Sequence, residues 1–218
     1  MEIKGFIFDL DGVIVDTAQY HFLAWKKLAE SIGISFSEEQ NEQLKGVSRV
    51  RSLEKILDWG KIEVTDAEFT SLMNRKNDDY LKYISQMTSD EILPDVSRVL
   101  SFLYENDQKI ALGSASKNAR TILRKVHLNN YFETIVDGTN VSKAKPDPEV
   151  FLNAANGLKV NVGSCIVFED SIAGIEAANT AGMLSIGIGD ASVLKEADHI
   201  FKDFTEISNQ FLEKLIEK

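Results

Sequence analysis

Two aspartates one residue apart, Asp9 and Asp11, close an apolar run in the stretch FIFDLDGVIVDT, residues 6–17. In an extended segment, side chains two apart project to the same side, so both carboxylates are expected to lean into one crevice while Leu10 points away. Two negative charges ~4 Å apart repel by about 1 kcal/mol in water and by about 4 kcal/mol at an effective dielectric of roughly 20. A cation or a shared proton is therefore expected beside them. A solvated Asp-x-Asp-Gly turn is the bland alternative, and the tetrapeptide alone does not decide between them.

Three further stretches carry chemistry of a related kind. In FEDS, Glu169 and Asp170 follow the apolar Ile166, Val167 and Phe168. They could complete an oxygen-rich site with Asp9, of the sort Mg²⁺ prefers, or favour the start of the helix that SIAGIEAANTAG predicts. In GSASKN, Ser114 and Ser116 precede a predicted helix, where hydroxyls and backbone N–H groups suit an anion; helix capping explains them equally. In KAKPDPEVF, Asp147 as N-cap and Pro148 at the first helical position account for the DP pair. Lys145 is left over. Pro146 holds it extended, so its ammonium could be aimed at the acids.

These four stretches gain meaning from the elements that must position them. Short apolar runs, IKGFIF, KIALGS, ETIVDG, CIVFED and LSIGIG, alternate with helical patterns, which predicts an α/β fold with a parallel sheet covered on both faces. Residues 16–88 interrupt that alternation with helical periodicity alone: Phe22, Trp25, Ala29 and Ile32, then Val50, Leu53, Ile56 and Leu57, then Phe69, Leu72, Met73, Tyr80, Tyr83 and Ile84. An all-helical insert after the first strand is expected. The α/β pattern resumes at LPDVSRVLSFLYEND, with Pro94 expected in the first turn of its helix. Ligands in open α/β sheets bind beyond the carboxyl ends of the strands, which is where all four stretches fall.

Composition narrows the partners. The chain has 218 residues, 44% hydrophobic and 27% charged, with a formal net charge of −10. That charge argues against nucleic acid or an anionic membrane as partner, and an anionic substrate must meet local positive charge. The single Cys165 allows no internal disulfide and is expected to be a buried small side chain. No secretory leader or membrane-spanning run is evident, so a cytoplasmic location is expected. Together the four strand ends match phosphoryl transfer through an aspartyl-phosphate: a carboxylate attacks phosphorus while a metal, a lysine and hydroxyl donors offset the charge.

The ordered set DLDGVIVDT, SASKN, KPDP and EDSIAGIEAANTAG resembles the haloacid dehalogenase superfamily across nearly the whole chain. The insert, in DTAQYHFLAWKKLAE, NEQLKGVSRVRSLEKIL and RKNDDYLKYI, is similar to the cap of its β-phosphoglucomutase family. The resemblance implies a Rossmann-like core, residues 1–15 and 89–218, with a helical cap, residues 16–88. It implies that Asp9 is the nucleophile and Asp11 the general acid/base. Mg²⁺ would be held by Asp9, the Asp11 carbonyl, Asp170 and Glu169. Ser114 and Lys145 would grip the transferring phosphoryl group. On the cap, Arg49 would hold the second phosphate, with Lys45, Gly46, Val47, Ser48, Ser52 and Lys76 lining the pocket beside Trp25. Ala115, Ser116, Lys117 and Asn118 would contribute from the core side, and Thr17, His21 and Lys76 would serve cap closure.

Some of these residues draw notice unaided. Lys45, Arg49, Arg51 and Lys55 gather around Gly46 in an acidic chain, as a phosphate site or as a solvated helix face. Lys76 shares a helical face with Leu72, Met73 and Tyr80, an unusual place for a charge. His21 shares a face with Trp25, where a satisfied core histidine is the plain reading; His127 and His199 are expected to be structural. The expected function is interconversion of β-glucose 1-phosphate and glucose 6-phosphate by a monomer with a hexose phosphate substrate. A sugar-phosphate phosphatase and a noncatalytic phosphosugar-binding module are the rivals.

Overall fold

The computed structural model describes residues 3–44 and 47–217. Six parallel strands form one sheet: β1 (Gly5–Phe8), β2 (Lys109–Gly113), β3 (Thr134–Val136), β4 (Cys165–Glu169), β5 (Leu184–Ile188) and β6 (His199–Phe201), in the order β3-β2-β1-β4-β5-β6. The strand order reverses between β1 and β4, so a crevice opens at their carboxyl ends. The five expected strands all form. The tail's β6 was not foreseen, because three partly exposed residues at a sheet edge are too short to carry a period.

Alternate residues of each strand enter separate cores, as the pleat requires. Phe6, Phe8, Ile110, Leu112, Ile166 and Phe168 face α5 (Val96–Glu105), α6 (Ala119–Lys125) and α9 (Asn209–Glu217). Phe8 and Phe168 stack 4.6 Å apart at the centre of that face. Ile7, Ala111 and Val167 face α7 (Glu149–Leu158) and α8 (Ile172–Ala181). Two expected helix starts shift. Helix α5 begins at Val96 after a left-handed Asp95, so Pro94 lies outside its first turn. Pro148 itself is the N-cap of α7, while the Asp147 carboxylate accepts from the Glu149 N–H at 3.0 Å and does the capping expected of it one residue early.

Among the described residues, the segment 18–84 holds α1 (Ala18–Ser31), α2 (Glu38–Glu42), α3 (Arg49–Gly60) and α4 (Asp66–Ile84). Reciprocal caps, Ser37 with Gln40 and Thr65 with Glu68, start α2 and α4. The first three quarters of this segment bury a core of their own, around Trp25, Leu28, Phe36, Leu53, Ile56 and Leu72. Tyr80 and Ile84, at the far end of α4, pack instead with the sheet-side cluster. Val50, counted above with the apolar face of α3, is 43% exposed. The two crossings between the helical segment and the sheet are bonded to each other: Leu93 N–H donates to Ile14 O, and Asp16 N–H to Glu91 O. No helix among the described residues is long and apolar enough to cross a membrane.

Candidate active site

Asp9 follows β1 and extends its ladder, its N–H donating to Phe168 O at 3.0 Å. The chain then turns sharply. Leu10 O accepts from the N–H groups of Ile14 and Val15, and Gly12 takes a φ of +83°. Asp11 N–H folds back to donate to Asp9 Oδ2 at 3.0 Å. The two carboxylates therefore reach one cavity through a tight buried turn rather than through an extended segment, which corrects the expected route while keeping the shared crevice. Gly12 is demanded twice: its φ favours glycine, and a Cβ would lie 2.1 Å from Asp170 Oδ2.

A buried ion triad lies beside the turn. Lys145 Nζ donates to Asp9 Oδ1 and to Glu169 Oε1, both at 2.6 Å, with its side chain 1% exposed. The ammonium also lies 4.7 Å from the Phe151 ring centroid, and the Lys145–Pro146 peptide is cis. Glu169 Oε2 accepts from the N–H and hydroxyl of Ser171. Burial pulls Lys145 down, but Asp9 and Glu169 outweigh it and push its pKa up, so the ammonium stays charged. Burial raises the Asp9 carboxyl to about 7, with Lys145 opposing and Glu169 and Asp11 reinforcing the rise. Asp11 is likewise raised by burial and lowered by the Thr17 hydroxyl, which donates to its Oδ1. Thr17 stands at the N-cap of α1 yet makes no side-chain cap, its hydroxyl being spent on Asp11.

A cavity of about 510 Å³ opens above these groups, a size suited to a small ligand. Its core-side wall includes Ser114, Ala115, Ser116, Lys117, Asn118, Lys145 and Asp170; its helical wall includes Thr17, His21, Trp25, Val47, Ser48, Arg49, Ser52 and Lys76. Lys45 and Gly46 lie outside the described residues. Glu169 does not line the cavity, since Lys145 and Ser171 take both of its oxygens. Ser114 Oγ accepts from Ser116 N–H, and the Asn118 amide donates to Asn77 Oδ1 across the two walls. The basic cluster divides: Arg49 lines the cavity, while Arg51 pairs with Glu54 and Lys55 donates to Gln43 O on the exposed side.

Lys76 is buried among aromatic rings, its Nζ 4.7 Å from the Trp25 centroid and 4.6 Å from that of Tyr80. Burial and Arg49 lower it to about 7, with Asp11 opposing. His21, held well below its ordinary range by burial, Lys76 and Arg49, is neutral and accepts from Lys76 at Nδ1, 2.9 Å away. It is a cavity-lining group as well as a satisfied one. His199 packs edge-on against Phe211, and His127 ends α6 in a left-handed conformation.

Sequence reasoning passed over Asp16, Asn41, Val50, Met73, Ser142, Lys143 and Val150, all of which line the cavity. The loop after β3 is a strand end like the others, so the placement rule that selected Lys145 could have selected Ser142 and Lys143. Met73 lies one turn before Lys76 on the same face. Nothing in the sequence marked Asn41.

Asp9, Asp11 and Asp170 all line the cavity, Asp170 against the Gly12 turn, and their oxygens are hard donors of the kind Mg²⁺ takes. Among the described residues no three His, Cys, Asp or Glu side chains are grouped so as to hold a metal ion by themselves, so a cation here would have to complete its coordination with backbone, water and phosphate oxygens. Alanine at position 12 should drive Asp170 from the turn. We expect Gly12→Ala to cost about 1–3 kcal/mol in urea unfolding and to raise the Mg²⁺ needed for half-maximal turnover about tenfold or more. Unchanged Mg²⁺ dependence would separate Asp170 from the metal.

Comparison with known proteins agrees with this geometry. The model of the haloacid dehalogenase-like hydrolases matches residues 3–182. A β-phosphoglucomutase of Bacillus subtilis is 46% identical over 212 residues, covering 96% of this chain and 94% of the relative. A phosphatase of phosphorylated carbohydrates from Thermotoga maritima is 30% identical over 89% of this chain and 91% of its own. The crystal structure of a β-phosphoglucomutase from Clostridium difficile superposes with a TM-score of 0.94 at 40% identity, covering 99% and 98% of the two chains. With its sequence matched at this level over nearly its full length, the chain belongs to the haloacid dehalogenase-like hydrolases and stands among their β-phosphoglucomutases.

Proposed function

We propose that this enzyme is a phosphomutase that interconverts β-glucose 1-phosphate and glucose 6-phosphate through β-glucose 1,6-bisphosphate. One observation carries the reading: a single cavity joins the Asp9 carboxylate to two separate sets of cations, Lys145 on the sheet side and Arg49 with Lys76 on the helical side. Hydrolysis of a monophosphate needs one such set. A bisphosphate that must present either end to the nucleophile needs two.

In this reading phosphorylated Asp9 donates its phosphoryl group to the sugar 6-hydroxyl, whose proton passes to Asp11; the P–O bond to Asp9 breaks and a P–O bond to the sugar forms. The bisphosphate reorients. An Asp9 oxygen then attacks the phosphorus at O1, Asp11 returns the proton to the departing O1, and glucose 6-phosphate leaves with Asp9 phosphorylated again. Ser114 and Lys145 steady the moving phosphoryl group, and Arg49 holds the distant phosphate. Glu169 acts as the fixed anchor of Lys145 rather than as a metal ligand. Asp9, the Asp11 carbonyl and Asp170 would hold Mg²⁺, which would supply positive charge to offset repulsion between the carboxylate and the phosphate.

Water must be kept from phosphorylated Asp9. Residues 16–88 serve as a cap over the core of residues 1–15 and 89–218, turning on the paired crossings at Val15 to Thr17 and Thr88 to Leu93. A monomeric working unit is part of this reading. Hydrolysis is the second reading, favoured by the Thermotoga phosphatase relative. The test is turnover of β-glucose 1-phosphate with a trace of the bisphosphate. Glucose 6-phosphate formed without free phosphate supports the mutase, and stoichiometric free phosphate gives the phosphatase.

A further inference from the structure

The hexose between the two phosphates carries ring hydroxyls that also need partners in the cavity. Most polar side chains of the helical wall are already engaged. Arg49 and Lys76 supply charge for phosphate. Thr17 gives its hydroxyl to Asp11, His21 accepts from Lys76, and Ser48 caps α3 by accepting from Arg51 N–H. Asp16 accepts from Ala18 N–H. Trp25 offers a donor only, and Leu44, Val47, Val50 and Met73 are apolar. Two neutral side chains that can both donate and accept are left, Asn41 and Ser52.

Asn41 is the unexpected one. It is 8% exposed and lines the cavity from α2. Asparagine is a poor residue for a helix interior, where its amide competes with the backbone. No protein contact compensates here: the bond from Leu44 N–H to Asn41 O uses the backbone alone, and the side-chain amide has no partner among the described residues. Nor is the amide sealed in the core, since the Tyr80 hydroxyl is the one fully enclosed side-chain N or O atom among the described residues that lacks a partner. A buried amide that is unbonded and still open to the cavity is placed to bond a ligand, because buried polar groups are nearly always paired.

The chemistry of the amide narrows what it takes. Two N–H donors and a carbonyl acceptor match a hydroxyl, which is donor and acceptor at once. Being neutral, the amide adds nothing to the grip on phosphate. It also suits a ligand that must be held twice with its ends exchanged, because one edge of the amide fits a hydroxyl whichever way the hydroxyl proton points. We propose that Asn41 is a specificity-determining residue that hydrogen-bonds a ring hydroxyl of the hexose from the helical wall. The inference rests on the hexose phosphate reading of the cavity and deepens it: the sugar is selected by its hydroxyls as well as by its phosphates.

Asn41→Ala and Asn41→Leu test it against β-glucose 1-phosphate and its 2-, 3- and 4-deoxy analogues. Both replacements are better helix formers than asparagine and neither removes a protein contact, so Tm should hold or rise. In both variants kcat/KM for β-glucose 1-phosphate is expected to fall about tenfold or more, since a hydroxyl brought to an apolar wall loses its partner. Inhibition by inorganic phosphate should stay within about twofold, because Arg49, Lys76 and Lys145 are untouched. With one deoxy analogue the parent should lose a comparable factor, and the Asn41 variants should lose nothing further. An unchanged kcat/KM in Asn41→Ala overturns the proposal even where Asn41→Leu is slow, because that pattern reports a filled cavity. So does a fall in Tm of both variants, which would make the amide a structural bond, and so do losses that multiply fully with all three analogues. A parent that releases phosphate without forming glucose 6-phosphate removes the mutase reading alone, and the same comparison is then read on phosphate release. A parent inert toward hexose phosphates removes both.

Discussion

Asparagine in place of Asp9 should abolish mutase turnover, by about 10⁴-fold or more, without unfolding the protein. An amide cannot form the acyl phosphate through which the group must pass, yet it fills the same space beside Lys145 and the Asp11 N–H. The variant also has a pH signature. Burial lifts the Asp9 carboxyl from its ordinary 3.8 to about 7. Between those values the unfolded chain is ionised at this position and the folded chain is not, so the parent loses stability as pH rises through the window. Asparagine lacks that loss. In EDTA, the unfolding free energy of the variant minus that of the parent should climb from the lower value to the upper and level off above it. Residual turnover above about 1% of the parent's would remove Asp9 as nucleophile; a flat difference would mean that Asp9 is ionised throughout.

Lys145→Met is the second large effect, and it should strike stability and rate together. Methionine matches the length of the stem and can stay on the Phe151 ring, but it leaves Asp9 and Glu169 as two buried carboxylates without their common cation. Breaking a buried pair from one side costs about 3–5 kcal/mol, and turnover should fall about 10³-fold as the phosphoryl oxygens lose their charged donor. Adding Glu169→Gln to Lys145→Met separates the two effects. The amide still accepts from Ser171, so urea unfolding should recover much of the stability while turnover stays lost. Recovery of both would make Lys145 a structural cation only. Recovery of neither would mean that Glu169 is needed in its own right.

The strand ends were legible for a local reason: an apolar run stopped abruptly at residues that are poor company for a core, as at Asp9, Ser114 and Glu169. Lys145 was legible because the flanking prolines restrict the backbone around it. The edge strand at His199–Phe201 was not, since its pairing with β5 is supplied by a neighbour distant in sequence. The basic group around Gly46 shows the limit most plainly. Arg49, Arg51 and Lys55 are equivalent as types, and the turn of α3 alone directs Arg49 to the cavity and the other two to solvent.

By itself the sequence determined the α/β order, the helical insert and the residue types that can move a phosphoryl group, because hydrophobic period and strand-end chemistry are written into neighbouring positions. Tertiary structure alone decided that Asp9 and Asp11 meet through a turn, that Glu169 is spent on Lys145 and Ser171, and that Lys76 is buried between the Trp25 and Tyr80 rings. Those are contacts, most of them between segments far apart in the chain. Burial and hydrogen-bond geometry, which fix their chemistry, exist only once the chain has closed around them.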